Sequence, residues 1–249
     1  MDPVDVLAFS PHPDDAEIGC GGALALAANR GLRVAIADLT EGERASRGSP
    51  ASRDEEKGAA ARNLRLCARI GVGLADGEIG RSPQAHLRVV EVIRETRPHT
   101  VLGPPLHDRH PDHEAAGRLV REACFEAGLA GVGEGVRHRP GRLFHYMVHS
   151  PFDPSFVVDC SEVWAQKKAA VSSYRSQFSP DGEDSMTALS GGDFLELLEV
   201  RGRWFGAMIG AIYGEPYLTR GPVPLRGLPE PRGQRTRQGS PSPLEYSMW

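Results

Sequence analysis

The chain has 249 residues, 40% of them hydrophobic and 25% charged, enough apolar material for one well-buried globular domain. A net charge of −4 leaves no global basic field for nucleic acid, and no run approaches the roughly 18 apolar residues of a membrane span. The four cysteines, Cys20, Cys67, Cys124 and Cys160, are scattered without a Cys-x-x-Cys, so neither a zinc ribbon nor a disulfide framework is expected. The start, Met1-Asp2-Pro3-Val4-Asp5, lacks a basic, apolar targeting pattern, which makes cytoplasm the expected location.

Val4 to Phe9 reads as a short buried strand, followed by a polar loop from Ser10 to Asp15. Gly21 to Ala28 reads as a helix closed by Gly31, and Arg33 to Leu39 as a second strand. This βαβ unit predicts a parallel sheet with a right-handed crossover. The long loop from Thr40 to Ser52 follows a parallel strand, a position that suits a substrate-facing role. Helices are expected over Arg53–Arg69 and Gln84–Arg97, the latter stopped by Pro98. A strand follows at Thr100–Gly103, then a helix over Ala115–Ala127. The second half reads as strands at Leu143–Val148 and Phe156–Asp159 and helices at Val163–Tyr174 and Phe194–Ile212. One α/β domain, a mostly parallel sheet flanked by helices, is predicted over residues 1–226. The Pro-, Gly- and Arg-rich stretch 227–249 is predicted as a flexible tail.

Two tetrapeptides carry the chemistry. His12-Pro13-Asp14-Asp15 follows the first strand, and His110-Pro111-Asp112-His113 follows the strand at Thr100–Gly103. In a parallel α/β sheet both fall on the carboxyl edge, where they can meet if those strands are neighbours. Imidazole and carboxylate suit zinc, and a catalytic zinc takes three protein ligands with one position left for water. The economical ligand set is His12, Asp15 and His113. Asp14 is then a free carboxylate beside the ion, placed to act as general base. His110 is a spare group for an oxyanion or for acid catalysis, and Asp112 could orient or charge it. The remaining histidines, His86, His99, His138, His145 and His149 among them, lack such neighbours and read as surface or satisfied interior residues. Gly19 to Gly22 lacks a phosphate-loop lysine and a full dinucleotide fingerprint, so close helix packing is expected there. Arg53 and Arg109 are the cations placed to reach the cleft, where guanidinium would hold a carboxylate of an anionic substrate.

At Ser10-Pro11-His12-Pro13-Asp14-Asp15-Ala16-Glu17-Ile18-Gly19 and Asp108-Arg109-His110-Pro111-Asp112-His113 the chain resembles the LmbE-like (PIG-L) superfamily of zinc-dependent N-deacetylases. Within it, the chain most resembles the bacillithiol-biosynthesis N-acetylglucosaminyl-malate deacetylases. Glu122–Leu129, Phe144–Met147, Tyr174–Phe178 and Tyr213–Tyr217 support the narrower match, and the likeness runs from about residue 4 to 225. It implies a Rossmann-like fold, one zinc per chain on His12, Asp15 and His113, Asp14 as base and His110 as stabiliser. It further implies substrate contact at Arg53 and Arg109, and assembly into a homo-oligomer, a trimer or hexamer. Two departures stand out: Pro11 replaces a small residue, and the tail has no counterpart. The expected partner is a small N-acetylated amino sugar conjugate. The rival readings are deacetylation of another N-acetylglucosamine derivative, and a non-catalytic α/β module binding an anionic sugar or nucleotide.

Overall fold

The computed structural model describes residues 1–179 and 193–224. Seven strands form one sheet: β1 (Val6–Ser10), β2 (Val34–Asp38), β3 (Ala68–Gly71), β4 (Thr100–Gly103), β5 (Arg142–Tyr146), β6 (Phe156–Asp159) and β7 (Gly214–Leu218). The spatial order is β3-β2-β1-β4-β5-β7-β6. The first five run parallel, with Val6 opposite both Val34 and Thr100, while β7 is antiparallel to β5 and β6. The chain winds outward from β1 through β2 to β3, then returns to β4 on the other side of β1. That reversal opens a crevice at the carboxyl ends of β1 and β4, the place where such sheets bind ligands.

Side chains alternate along the central strands, so the sheet feeds two cores. Leu7 and Phe9 pack with Val89, Ile93, Leu119 and Val120 of α3 (Pro83–Thr96) and α4 (Pro111–Glu126). Ala8 and Ile36 face the other side, against α1 (Asp15–Asn29), α2 (Pro50–Leu64) and α5 (Trp164–Val171). The short α6 (Arg175–Phe178) and α7 (Phe194–Met208) complete the helices among the described residues. None of these is long and apolar enough to cross a membrane.

Three differences from the sequence reading matter. Helix α1 starts at Asp15, not Gly21, so the first tetrapeptide abuts a helix N-terminus directly. The helix expected over Arg53–Arg69 stops at Leu64, because Arg65 turns left-handed with φ 56°, and Ala68–Gly71 becomes an edge strand. Strand β7 has no counterpart among the expected elements. The expected tail, 227–249, lies outside the described residues.

The glycines of α1 are packing devices, as expected. A Cβ on Gly19 would stand 2.2 Å from the Tyr146 ring, and one on Gly22 would stand 2.7 Å from the Cys160 sulfur. Close approach lets the Glu215 carboxylate of β7 accept from the Gly22 and Ala23 amides at 2.7 and 2.8 Å. Lys167 of α5 closes the arrangement, donating to Glu215 at 2.5 Å and to the Ile18 carbonyl at 2.8 Å, with both charged side chains sealed from solvent. Removing one member of a buried pair strands the other charge. Lys167→Met is therefore expected to lower the unfolding free energy by about 3–5 kcal/mol in urea titrations. Adding Glu215→Gln should restore part of that loss; strictly additive losses would show that the two charges are not coupled.

Candidate metal centre

The loop after β1 is pinned by Ser10, whose Oγ donates to the His12 carbonyl at 2.7 Å and accepts from the Ala16 amide at 3.0 Å. Asp14 pays for the tight entry into α1 with a backbone at φ 124°, ψ −30°, a region L-residues rarely occupy. Across the crevice, His110 caps α4. Its Nδ1 accepts from the Asp112 amide at 3.3 Å, so the ring proton of the neutral imidazole sits on Nε2.

Three atoms converge between these loops. His12 Nδ1 lies 3.1 Å and His113 Nε2 lies 3.2 Å from the same Asp15 Oδ2. The far nitrogens are backed by carboxylates: His12 Nε2 faces Asp76 at 3.2 Å and Asp112 at 3.4 Å, and His113 Nδ1 faces Asp108 at 3.3 Å. Carboxylates this close to the far nitrogens favour protons there, which would leave the near nitrogens as lone-pair donors. Two other groupings, Asp108–His113–His149 and His12–Asp76–Asp112, could also hold a cation. The first draws on Asp108, which already accepts from the His110, His149 and Ser150 amides at 3.0, 2.9 and 3.1 Å. The second uses the His12 nitrogen that those carboxylates support. The His12–Asp15–His113 set uses one nitrogen of each ring and leaves the supporting shell intact. It is the arrangement that best fits one ion, and its N, O, N donors suit zinc.

The electrostatics of the cluster agree. Burial works against charge on both rings, but it is outweighed: Asp112, Asp15 and Asp76 carry His12 well above its usual range, and Asp15 and Asp108 raise His113 to about 9. Burial would raise Asp15, yet His113 and His12 hold it well below the carboxylate range. Asp76 falls to about 2, first through its bond to His12. Asp14 behaves oppositely. Burial pushes it up to about 8, against the pull of Arg53, whose guanidinium lies 3.7 Å away. His110 is held below its usual value by burial and by the neighbouring imidazoliums.

Not every expected residue falls where the sequence places it. Asp112 does not support the His110 ring; its carboxylate turns to His12 Nε2 and the Gly77 amide, and only its backbone amide meets His110. The reason is the helix start: with Pro111 leading α4, the Asp112 amide is the unsatisfied donor that the His110 cap takes up. Arg53 is buried and engaged with Asp14 and the Pro13 carbonyl. Arg109 instead lines an adjoining groove of about 340 Å³ with Phe194 and Arg201. The two arginines therefore serve different cavities, which meet at His149. His149 stacks on His113 at 5.1 Å and lines the cleft, contrary to its reading as a bystander. Asp76 and Gln177 also line the cleft, and the sequence reading singles out neither. Asp76 follows the unrecognised strand β3, and Gln177 lies in the Tyr174–Phe178 segment, noted only for its likeness.

Comparison with known proteins places this geometry. The PIG-L family pattern, GlcNAc-PI de-N-acetylase, matches residues 7–124, a span that includes both tetrapeptides. The conserved protein TT1542 of Thermus thermophilus superposes with a TM-score of 0.83 at 40% identity, over 92% of this chain and 100% of its own. The diacetylchitobiose deacetylase of Thermococcus kodakarensis is 31% identical over 192 residues, 71% of each chain. The probable N-acetyl-alpha-D-glucosaminyl L-malate deacetylase 2 of Bacillus subtilis is 29% identical over 133 residues, 48% of this chain and 60% of that one. The chain belongs to the PIG-L family, and with it to the metal-dependent N-deacetylases.

Proposed function

We propose that the protein is a zinc-dependent N-deacetylase with one zinc per chain on His12, Asp15 and His113. Its substrate in this reading is an N-acetylglucosaminyl conjugate, N-acetylglucosaminyl-malate of bacillithiol biosynthesis. The observation that carries the reading is the convergence of two imidazole nitrogens and a carboxylate oxygen, with the Asp14 carboxyl and the His110 Nε2–H beside them in one cleft of about 380 Å³. When bound, the ion supplies Lewis acidity toward water and toward an acetamide carbonyl.

The chain's own groups do the rest. Asp14 takes the proton of the attacking water as the new C–O bond forms. Arg53 favours the ionised base, and a nearby divalent cation acts in the same sense. His110, its Nδ1 already engaged by the helix, points its remaining N–H at the developing oxyanion. Because burial favours a protonated Asp14, that group retains the proton and returns it to the amine as the C–N bond breaks. Acetate and the free amino sugar leave. His110, neutral and committed to the oxyanion, need not release a proton. The groove lined by Arg109 meets the cleft at His149, and the Arg109 guanidinium there suits a carboxylate of the aglycone, while Arg201 is engaged with the Val148 and Ile18 carbonyls.

Each of His12→Ala, Asp15→Ala and His113→Ala is expected to lose bound zinc by elemental analysis. Dialysis of the wild-type protein against a chelator should abolish acetate release until zinc is restored; full zinc occupancy in all three variants would exclude this ligand set. Asp14→Asn and His110→Ala should keep the metal while kcat falls by about 10²–10⁴-fold, the range of a general acid–base contribution. A near-normal kcat under saturating substrate removes that residue from the mechanism. For substrate choice, Arg109→Ala should lower kcat/KM for N-acetylglucosaminyl-malate by about ten- to a hundred-fold and leave plain N-acetylglucosamine little changed. Arg53→Ala, which acts at the acetamide end, should slow both. Preferential turnover of diacetylchitobiose in the same acetate assay would instead point to an oligosaccharide substrate.

A further inference from the structure

A second cavity, of about 280 Å³, lies away from the metal cleft and shares no lining residue with it. It runs along β5 from Gly141 to His145 and is roofed by the chain after β7, from Thr219 to Pro224. Among the described residues, β5 and β7 pair only at His145–Leu218 and Tyr146–Tyr217, so the amino-terminal half of β5 has no described partner on that side. Three guanidiniums, of Arg121, Arg142 and Arg220, line this gap, and no carboxylate does. Arg121 pairs with Glu122 at 3.2 Å, but Glu122 is not part of the wall. Arg142 bonds only to the carbonyl of Gly141, and among the described residues no acidic group pairs with Arg220. In a chain of net charge −4, this is a concentrated positive site in which only Arg121 has an acidic partner among the described residues.

His145 adds selectivity. Its side chain is 4% exposed, and Nδ1 lies 2.6 Å from the Pro104 carbonyl, to which it must donate. The proton is thereby fixed on Nδ1, and Nε2 presents a lone pair. Nε2 has no hydrogen-bond partner among the described residues, and His145 lines the cavity. Burial and the charges of Arg121 and Arg220 keep this imidazole neutral. The site therefore offers several cationic donors and one acceptor. An anion that fits must carry negative oxygens together with an O–H.

We propose that this cavity is a binding site for hydrogen phosphate, separate from the catalytic centre. Arg121, Arg142 and Arg220 hold the oxyanion, and His145 Nε2 accepts its P–O–H. Inorganic phosphate keeps at least one such hydroxyl at neutral pH. Sulfate has none, and a phosphate monoester is mainly dianionic and also lacks it.

Isothermal titration calorimetry on the zinc-loaded full chain tests this, with inorganic phosphate and sulfate as probes at matched ionic strength set by sodium chloride. Phosphate should bind at least ten-fold more tightly than sulfate. Arg142→Ala and Arg220→Ala, both at exposed positions and outside the catalytic machinery, should each weaken phosphate by about ten-fold or more and leave acetate release in phosphate-free buffer unchanged. Equal affinity for sulfate, wild-type affinity in both arginine variants, or no binding at all would each overturn the proposal. The second of these would assign the phosphate to the metal cleft.

Discussion

The carboxylates of Asp14, Asp15, Asp76, Asp108 and Asp112 crowd around two imidazoles at the mouth of one crevice, and their mutual repulsion is the constraint that shapes this protein. Like charges brought this close and partly desolvated destabilise the fold unless cations and dipoles answer them. The answers are visible. The N-termini of α1 and α4 start at the cluster, Arg53 stands beside Asp14, and the acidic neighbours favour the charged form of both rings. A divalent ion held by His12, Asp15 and His113 would supply the same neutralisation with a stronger charge. Stability of the cleft and affinity for the metal thus have a common origin.

The scaffold must hold that cluster against its own repulsion. Ser10 locks the first loop, and a second network locks the helix that follows it. Arg69 of β3 forks onto Asp38 with two bonds of 2.7 and 2.8 Å and reaches Glu17 of α1 at 2.6 Å, while the Tyr174 hydroxyl donates to Glu17 at 2.8 Å. Glu17 is two residues from Asp15, so sheet, helix and the Asp15 end of the cleft are tied through one bidentate arginine. On the opposite side of α1, Glu215 and Lys167 hold the Gly22 and Ala23 amides and the Ile18 carbonyl. The helix carrying Asp15 is thereby clamped at both flanks by buried charge.

The parallel core and the meeting of the tetrapeptides are legible in the sequence because each feature is local. Short apolar runs mark β1, β2 and β4, and His-Pro-Asp repeats at two of their ends. What stays hidden has a physical pattern too. Helix propensity in Ala59-Ala60-Ala61-Arg62-Asn63-Leu64 carries the helical reading through Arg65, whose left-handed turn has no glycine to announce it. Missing the end of α2 hides β3, and missing β3 hides Asp76, which lies on the loop beyond that strand. Strand β7 contains Pro216, which argues against a sheet interior, yet β7 lies between β5 and β6; Pro216 is accommodated because the described pairing to β5 involves only Tyr217 and Leu218. Proximity in sequence assigns Asp112 to the nearer histidine; the helix start turns its carboxylate to the farther one. His149 cannot be found from spacing, since only the continuation of β5 past Tyr146 brings it to His113.

The backbone of Asp14 has a consequence for how such a chain can change over generations. A non-glycine residue at φ 124° holds about 1–3 kcal/mol of strain, and here it also buries a carboxyl group against its preference. Glycine at this position would relax the loop and remove the buried acid, so selection for a sturdier fold and selection for turnover pull in opposite directions at one codon. In the proposed reading, a lineage freed from the need for chemistry would be expected to lose its acid here early, while His12, Asp15 and His113, which a bound cation would help to hold together, would decay later. In descendants of this fold that kept the metal cluster but carry glycine or a small residue after His-Pro, the cleft would be a relic of binding that outlived its catalysis.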